Sequence, residues 1–316
     1  MDVLAVSGGV GGAKLCEGLA AELSAEELTV LVNTADDFQH LGLHISPDID
    51  TLLYTLSGRA SRSRGWGLAG ETWQAMDAME TLGGESWFRL GDRDLATHLL
   101  RTQEIAAGSS LTEVTDSLRQ RMGVGPLILP MSDDPVATIV HSDEGALPFQ
   151  DYFVRRQCEP AVSGFHFQGL ESAKANPALL TRIDERPPEV VILCPSNPFV
   201  SVDPILQLDG LWQRLRDIDA VVVAVSPIVA GMAIKGPAAK MMAELGMPVT
   251  APAVLKHYTD HYPGLLDHFI IDDSDATLAS SINGGDVVVS VRPTIMKNLE
   301  DKQALARACL ALVSPE

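Results

Sequence analysis

Ser7-Gly8-Gly9-Val10-Gly11-Gly12 is the first stretch whose residue types and spacing could do chemistry. An apolar run from Val3 to Val6 feeds it, and helical spacing follows from Ala13 to Leu23. Glycines let backbone N–H groups approach an oxyanion closely, and a helix N-terminus favours negative charge, so this is a candidate phosphate cradle. Lys14 falls in the first helical turn, where it can reach a phosphate as a point charge. The pattern is neither the GxxxxGKS/T of a Walker loop nor the GxGxxG of a dinucleotide site. Taken alone, it also fits an ordinary strand–turn–helix with no ligand.

Carboxylates come next. A second predicted strand, Leu28 to Val32, ends in Asn33-Thr34-Ala35-Asp36-Asp37, and Ile45-Ser46-Pro47-Asp48-Ile49-Asp50 precedes a helical run from Thr51 to Leu56. In an open parallel sheet, ligands sit outside the carboxyl ends of the strands, which puts Asp36 and Asp37 near the glycine loop. Each acid alone reads equally well as a turn former or, for Asp48, a helix cap. Together they would repel a phosphate unless a cation lies between. Mg²⁺ held by one or two carboxylates plus phosphate oxygens is the usual arrangement. This indicates phosphoryl transfer or nucleotide chemistry. Asp50, read as a polar residue at an element boundary, is expected to contribute little to the core.

Further along, Trp66 and Trp73 are candidates for the wall of a flat ligand or for plain packing. Residues Glu71 to Leu82 have helical spacing. Leu90-Gly91-Asp92-Arg93-Asp94 opens another helix that continues through His98 to Arg101. Arg93 and His98 can project from its start toward an anionic or polar ligand, while Asp92 or Asp94 can cap it and pair with the arginines. Ser110 with Glu113 has the spacing of a capping box for a helix to Met122. The short run Pro126 to Met131 ends in Ser132-Asp133-Asp134-Pro135, where Asp133 can accept from a base or ribose or simply make a turn. Two more strand ends carry polar loops: Glu189 to Cys194 leads to Pro195-Ser196-Asn197-Pro198, and Ala220 to Val225 leads to Ser226-Pro227 and a loop containing Lys235. Without a Ser-His-Asp order, a GxSxG elbow or HExxH, covalent acyl transfer and zinc hydrolysis lack support.

The elements that must position these residues alternate between strand and helix, which predicts an α/β, Rossmann-like, doubly wound and mainly parallel sheet. Residues 1–316 read as a single Rossmann-like domain. Roughly 57–180 reads as an inserted α+β sub-domain, with a hairpin in Ala137 to Val154 turning at Gly145. Later elements are a helix from Ala238 to Leu245, a short strand starting at Val249, strands Phe269 to Ile271 and Val287 to Val291, and an amphipathic helix Lys302 to Val313. The chain's 316 residues are 46% apolar, ample for a large core. A net charge of −19 argues against nucleic acid or an anionic membrane as the main partner. The longest apolar stretch, Ala220 to Ile234, is broken by Ser226-Pro227 and Gly231 and reads as a buried strand with its loop. Cys16, Cys158, Cys194 and Cys309 lie far apart with no CxxC, so a reducing cytoplasm is the expected setting.

In order along the chain, SGGVGGAKL, NTADD, ISPDIDT, RGWG, LGDRDLATH, LPMSDDPV, FQDYFV, PSNP and SPIVAGMAIKGPAAK resemble the 2-phospho-L-lactate transferases of coenzyme F-420 biosynthesis. The resemblance covers nearly the whole chain. It implies a Rossmann-like core with an insertion, a homodimer and Mg²⁺ dependence. The implied reaction passes a phospho-lactyl or phosphoenolpyruvyl group from a guanosine diphosphate conjugate to the ribityl hydroxyl of the deazaflavin Fo, releasing GMP. On that basis Gly8, Gly9, Gly11 and Gly12 would hold the pyrophosphate or GMP with help from Lys14, and Ser196 and Asn197 would hold the nucleotide. Asp37 and Asp50 would be the metal ligands, with Asp36 and Asp48 as alternatives. Asp50 and Arg93 would also contact Fo, and a nearby carboxylate would act as general base. The competing readings are a sugar-nucleotide enzyme of the same fold and a non-catalytic guanine-nucleotide sensor. RGWG and LGDRDLATH speak for the Fo enzyme over the first.

Overall fold

The computed structural model describes residues 1–233, 236–282 and 285–313. Strand β1 (Val3–Ser7) turns through the glycine loop into helix α1 (Gly9–Glu22), and β2 (Leu28–Val32) follows. A short antiparallel hairpin, β3 (Phe38–His40) with β4 (Leu43–Ile45), hands the chain to α2 (Pro47–Leu56). Three helices come next, α3 (Gln74–Thr81), α4 (Asp94–Ala106) and α5 (Leu111–Met122), ahead of β5 (Leu127–Pro130). Strands β6 (Ala137–Ser142), β7 (Gly145–Pro148) and β8 (Val162–Gln168) form a separate antiparallel sheet in the order β7-β6-β8. Helix α6 (Pro177–Glu185) leads to β9 (Val190–Leu193), and α7 (Asp203–Leu206) and α8 (Leu211–Asp217) lead to β10 (Val221–Val225). A two-residue ladder of β11 (Ile228–Val229) and β12 (Met232–Ala233) is followed by α9 (Ala238–Glu244) and α10 (Ala251–His261). The described chain closes with β13 (His268–Ile271), β14 (Val288–Val291) and α11 (Leu299–Leu310).

The main sheet has 7 strands in the order β14-β13-β10-β9-β1-β2-β5. Every pairing in it is parallel. Along β1, Val3 and Ala5 join the apolar core on one face while Leu4 and Val6 join the core on the other. A sheet covered on both faces explains why this strand is an unbroken apolar run with no polar alternation. The chain moves outward through β2 and β5 on one side of β1 and through β9, β10, β13 and β14 on the other. The order therefore reverses between β1 and β9, and the crevice beyond their carboxyl ends is where such sheets bind ligands.

β5 interrupts the stretch 57–180 and joins the edge of the main sheet beside β2. The residues outside the core thus leave in two excursions, one helical before β5 and one around the β7-β6-β8 sheet after it. The Ser110–Glu113 capping box forms as expected. Helix α3 starts later than Glu71 because the residues before it are claimed elsewhere: Glu71 accepts the N–H groups of Arg93 and Asp94 at 3.0 and 2.9 Å. The strand expected at Val249 is not one. Thr250 accepts the N–H of Ala253 and caps α10, with Pro252 in the first turn. Lys235 lies outside the described residues. No helix among the described residues is long and apolar enough to cross a membrane.

Candidate active site

A cavity of about 1210 Å³ opens at the β1/β9 switch point and extends beneath the first excursion. At the sheet end the glycine loop meets the Pro195–Asn197 loop. Gly8 N–H donates to Ser196 Oγ at 3.0 Å, and a Cβ on Gly11 would sit 2.2 Å from the Pro195 carbonyl oxygen. Only glycine permits that approach of two backbones. The N–H groups of Val10 and Gly11, in the first turn of α1, have no acceptor within the helix and lie at the cavity wall. This is the geometry of an anion site at a helix N-terminus. Lys14 also lines the cavity and donates to the Met296 carbonyl at 3.0 Å. Asn197 faces the cavity and uses its Oδ1 to cap the following turn at Phe199 N.

Asp48 and Asp50 both sit in the first turn of α2, which begins at Pro47 rather than Thr51. Asp48 ties this helix to the glycine loop, accepting from Gly9 N–H at 2.7 Å and from Asn33 Nδ2 at 3.1 Å. Burial pushes its carboxyl up to about 6 against those hydrogen bonds. Asp36 is pushed well up by burial and by the charges of Asp48 and Asp37. Asp37 is also raised by burial, although Ser46 Oγ donates to it at 2.6 Å and His44 Nε2 lies 3.2 Å away. The Oδ1 atoms of Asp36 and Asp37 are buried without a hydrogen-bond partner. Asp36, Asp48 and Asp50 line the cavity; Asp37 stands behind it.

Asp50 has a second role that was not expected. Arg101 of α4, fully buried, donates to both of its carboxylate oxygens, with Nη1 3.0 Å from Oδ2. His98 Nδ1 is 3.3 Å from Arg101 Nη1, and its Nε2 is 3.2 Å from Asp94 Oδ1, within ion-pair range but not aligned as a hydrogen bond. Tyr54 donates to that same Asp94 oxygen at 2.5 Å. Burial opposes charge on Asp94, yet His98 and Tyr54 hold its carboxyl below the ordinary value. The expectation that Asp50 adds little to the core is thus corrected: at 4% exposure it is the counter-ion of a buried arginine. Arg101 and Tyr54 escaped the sequence reading. The available signal was the spacing Asp94, His98, Arg101, which places an acid, an imidazole and a guanidinium on one helix face.

Arg93 is exposed and not among the residues lining the cavity. Its Nη1 donates to the Ala69 carbonyl at 3.3 Å, so it braces the loop that carries Trp66. Asp133 is likewise exposed and away from the cavity, accepting from Thr112 N and Oγ1 at 2.8 and 2.7 Å at the start of α5. Trp66, Trp73, Trp87 and Phe88 form the outer wall. Among the described residues, no group of three or more His, Cys, Asp or Glu is arranged to hold a metal ion.

Residues 3–303 match the family described as 2-phospho-L-lactate transferase CofD. The chain is 38% identical to a phosphoenolpyruvate transferase of Kitasatospora aureofaciens over 99% of its own length and 98% of that protein. It is 39% identical to a 2-phospho-L-lactate transferase of Methanosarcina mazei, covering 95% of this chain and 96% of the relative. A crystal structure of a Bacillus halodurans protein shares the fold, with a TM-score of 0.66 at 16% identity over 98% of this chain and 99% of that one. The chain belongs to the CofD family, the transferases that pass a lactyl or enolpyruvyl phosphate to Fo in coenzyme F-420 biosynthesis.

Proposed function

We propose that the cavity holds both substrates at once. The guanosine diphosphate conjugate lies at the sheet end, and Fo lies along α2 toward the outer wall. The observation that supports this is the size and polarity of the cavity. At about 1210 Å³ it exceeds the usual range of about 300–1,000 Å³ for a single small ligand, and it is polar at the glycine loop and aromatic at the far end. The ribityl hydroxyl of Fo gives up its proton to a nearby carboxylate and attacks the phosphorus that carries the three-carbon acid, phospholactyl or phosphoenolpyruvyl. The P–O bond to GMP breaks in line and GMP leaves. Such transfer depends on positioning and charge neutralisation more than on covalent help. The first-turn N–H groups of α1 with Lys14 hold the pyrophosphate, and Ser196 and Asn197 fix the loop against the nucleotide. Asp50, oriented by Arg101, faces the acceptor.

Mg²⁺ fits the donor set. Asp36 and Asp37 each keep a buried oxygen without a partner, and burial and mutual repulsion leave the group short of positive charge. Asp36 would hold the ion from the cavity wall through its unpartnered oxygen, with Asp37 behind it, and substrate phosphate oxygens would complete the shell. Asp48, whose two oxygens already accept from Gly9 N–H and Asn33 Nδ2, would steady the loop beside them. Asp50, first expected as a ligand, has both oxygens engaged by Arg101. When bound, the ion supplies neutralisation of charge on the transferred phosphate. We further propose that the protein works in the cytoplasm as a homodimer.

The test is a titration of Fo emission with the purified protein, with and without GDP and Mg²⁺, followed by mass spectrometry of the product formed with each donor. Saturable Fo binding and GMP release are expected. GDP binding without any Fo binding would overturn the reading in favour of a sugar-nucleotide enzyme.

A further inference from the structure

Trp66 stands out on the cavity wall as a large aromatic side chain left 48% exposed. It sits at the tip of a turn between Gly65 and Gly67, both in the left-handed region at φ 73° and 65°. The turn is stapled: Ser61 N–H donates to Gly67 O and Gly65 N–H to Ser61 O, each at 2.8 Å, while Ala69 N–H reaches Arg59 O at 2.8 Å. Arg64 Nη2 closes it from inside by donating to Leu68 O at 2.5 Å. Trp73 meets Trp66 edge-on, with centroids 5.9 Å apart. Arg64 packs on both rings and Arg89 on Trp73, at 5.4 to 5.6 Å from the centroids. Trp66 shares Arg64 with Trp73 and is fixed by the stapled turn, yet it stays 48% exposed at the cavity wall. A fixed, exposed indole loses little freedom when a flat ring stacks on it.

We propose that Trp66 is the stacking platform for the planar ring of the acceptor and so a specificity-determining residue of the site, with Trp73 and Arg64 as its supports. This rests on the reading of the cavity as the Fo site. The placement along the chain agrees. Asp48 contacts the glycine loop, and Tyr54, six residues and about 9 Å further along α2, contacts Asp94. The Asp94 N–H is held by Glu71, two residues before Trp73. A phosphate at the glycine loop and a ring on Trp66 thus lie at opposite ends of one helix, with the reacting hydroxyl between.

The test compares wild type, Trp66→Ala and Trp66→Phe in the full-length protein. Fo affinity is read from quenching of its emission, GDP affinity by calorimetry, and size by light scattering. Trp66→Ala is expected to weaken Fo binding about tenfold or more and to lose much of the quenching, with GDP affinity unchanged. Trp66→Phe, which keeps a π face, is expected to recover most of both. Wild-type Fo binding with an unaltered Trp66→Ala affinity would refute the platform and leave the transferase reading intact, as would an Ala variant changed only in oligomeric state. Absence of Fo binding by the wild type would remove both.

Discussion

Replacing Asp50 or Arg101 tests whether the acceptor side of the site is held by a buried ion pair. Both residues are nearly or fully out of solvent, and the guanidinium donates to both carboxylate oxygens. Removing one partner leaves the other charge buried and unpaired, a loss of about 3–5 kcal/mol. Total stabilities of folded domains run to about 5–15 kcal/mol, so either single change threatens about a fifth of it or more. In a chain of this size that corresponds to a fall in melting temperature of about 10 °C. Asp50→Ala and Arg101→Met are therefore expected to lose stability by similar amounts in urea denaturation followed by circular dichroism. The double variant Asp50→Leu/Arg101→Met, with no stranded charge, should lose far less than the sum. Turnover should be abolished in every variant lacking Asp50, including a stable double variant. Single variants melting within about 2 °C of wild type, or strictly additive losses, would refute the argument.

Three further outcomes follow from the geometry. Asp48 has a folded value of about 6 against an ordinary 3.8, so its contribution to stability is complete below about 4 and is lost as pH rises through about 6. In chelator, stability should accordingly rise by about 1 kcal/mol between pH 7 and 5, and by up to about 3 kcal/mol in all once pH falls below about 4, and Asp48→Asn should flatten that rise in a pH series of urea titrations. Gly11→Ala, whose Cβ would meet a backbone oxygen at 2.2 Å, should disrupt the loop pair and cut GDP binding more than tenfold by calorimetry. Gly42→Ala, with open space around it but φ of 75°, should cost only about 1–2 kcal/mol and leave binding intact. Arg93→Ala, which removes a brace on the Ala69 carbonyl, should raise the KM for Fo a few-fold while sparing kcat. A hundredfold loss of kcat would instead put Arg93 on the substrate.

The local patterns carried much of this protein. Apolar runs ending in glycine or polar loops mark β1, β2, β9 and β10, because a strand buried on both faces must be apolar throughout and its ligand-side end must not be. Ser110 and Glu113 announced α5, since caps act over a single turn. The glycine loop, PSNP and the acids of the first fifty residues were legible as one site, because in a parallel sheet all strand ends share a rim. What the sequence could not supply was which charges meet. Asp50 and Arg101 are 51 residues apart, and only the packing of α4 against the site converts them from two surface-type residues into a buried pair. The same packing turns Arg93 outward and His98 inward from neighbouring turns of one chain. It divides the acids into those facing the cavity and those behind it. Residue types and helical or strand periodicity are short-range properties, so the sequence determined the elements, their polar ends and the class of chemistry. Burial and charge pairing depend on contacts between elements distant in the chain, and only the tertiary structure decided them.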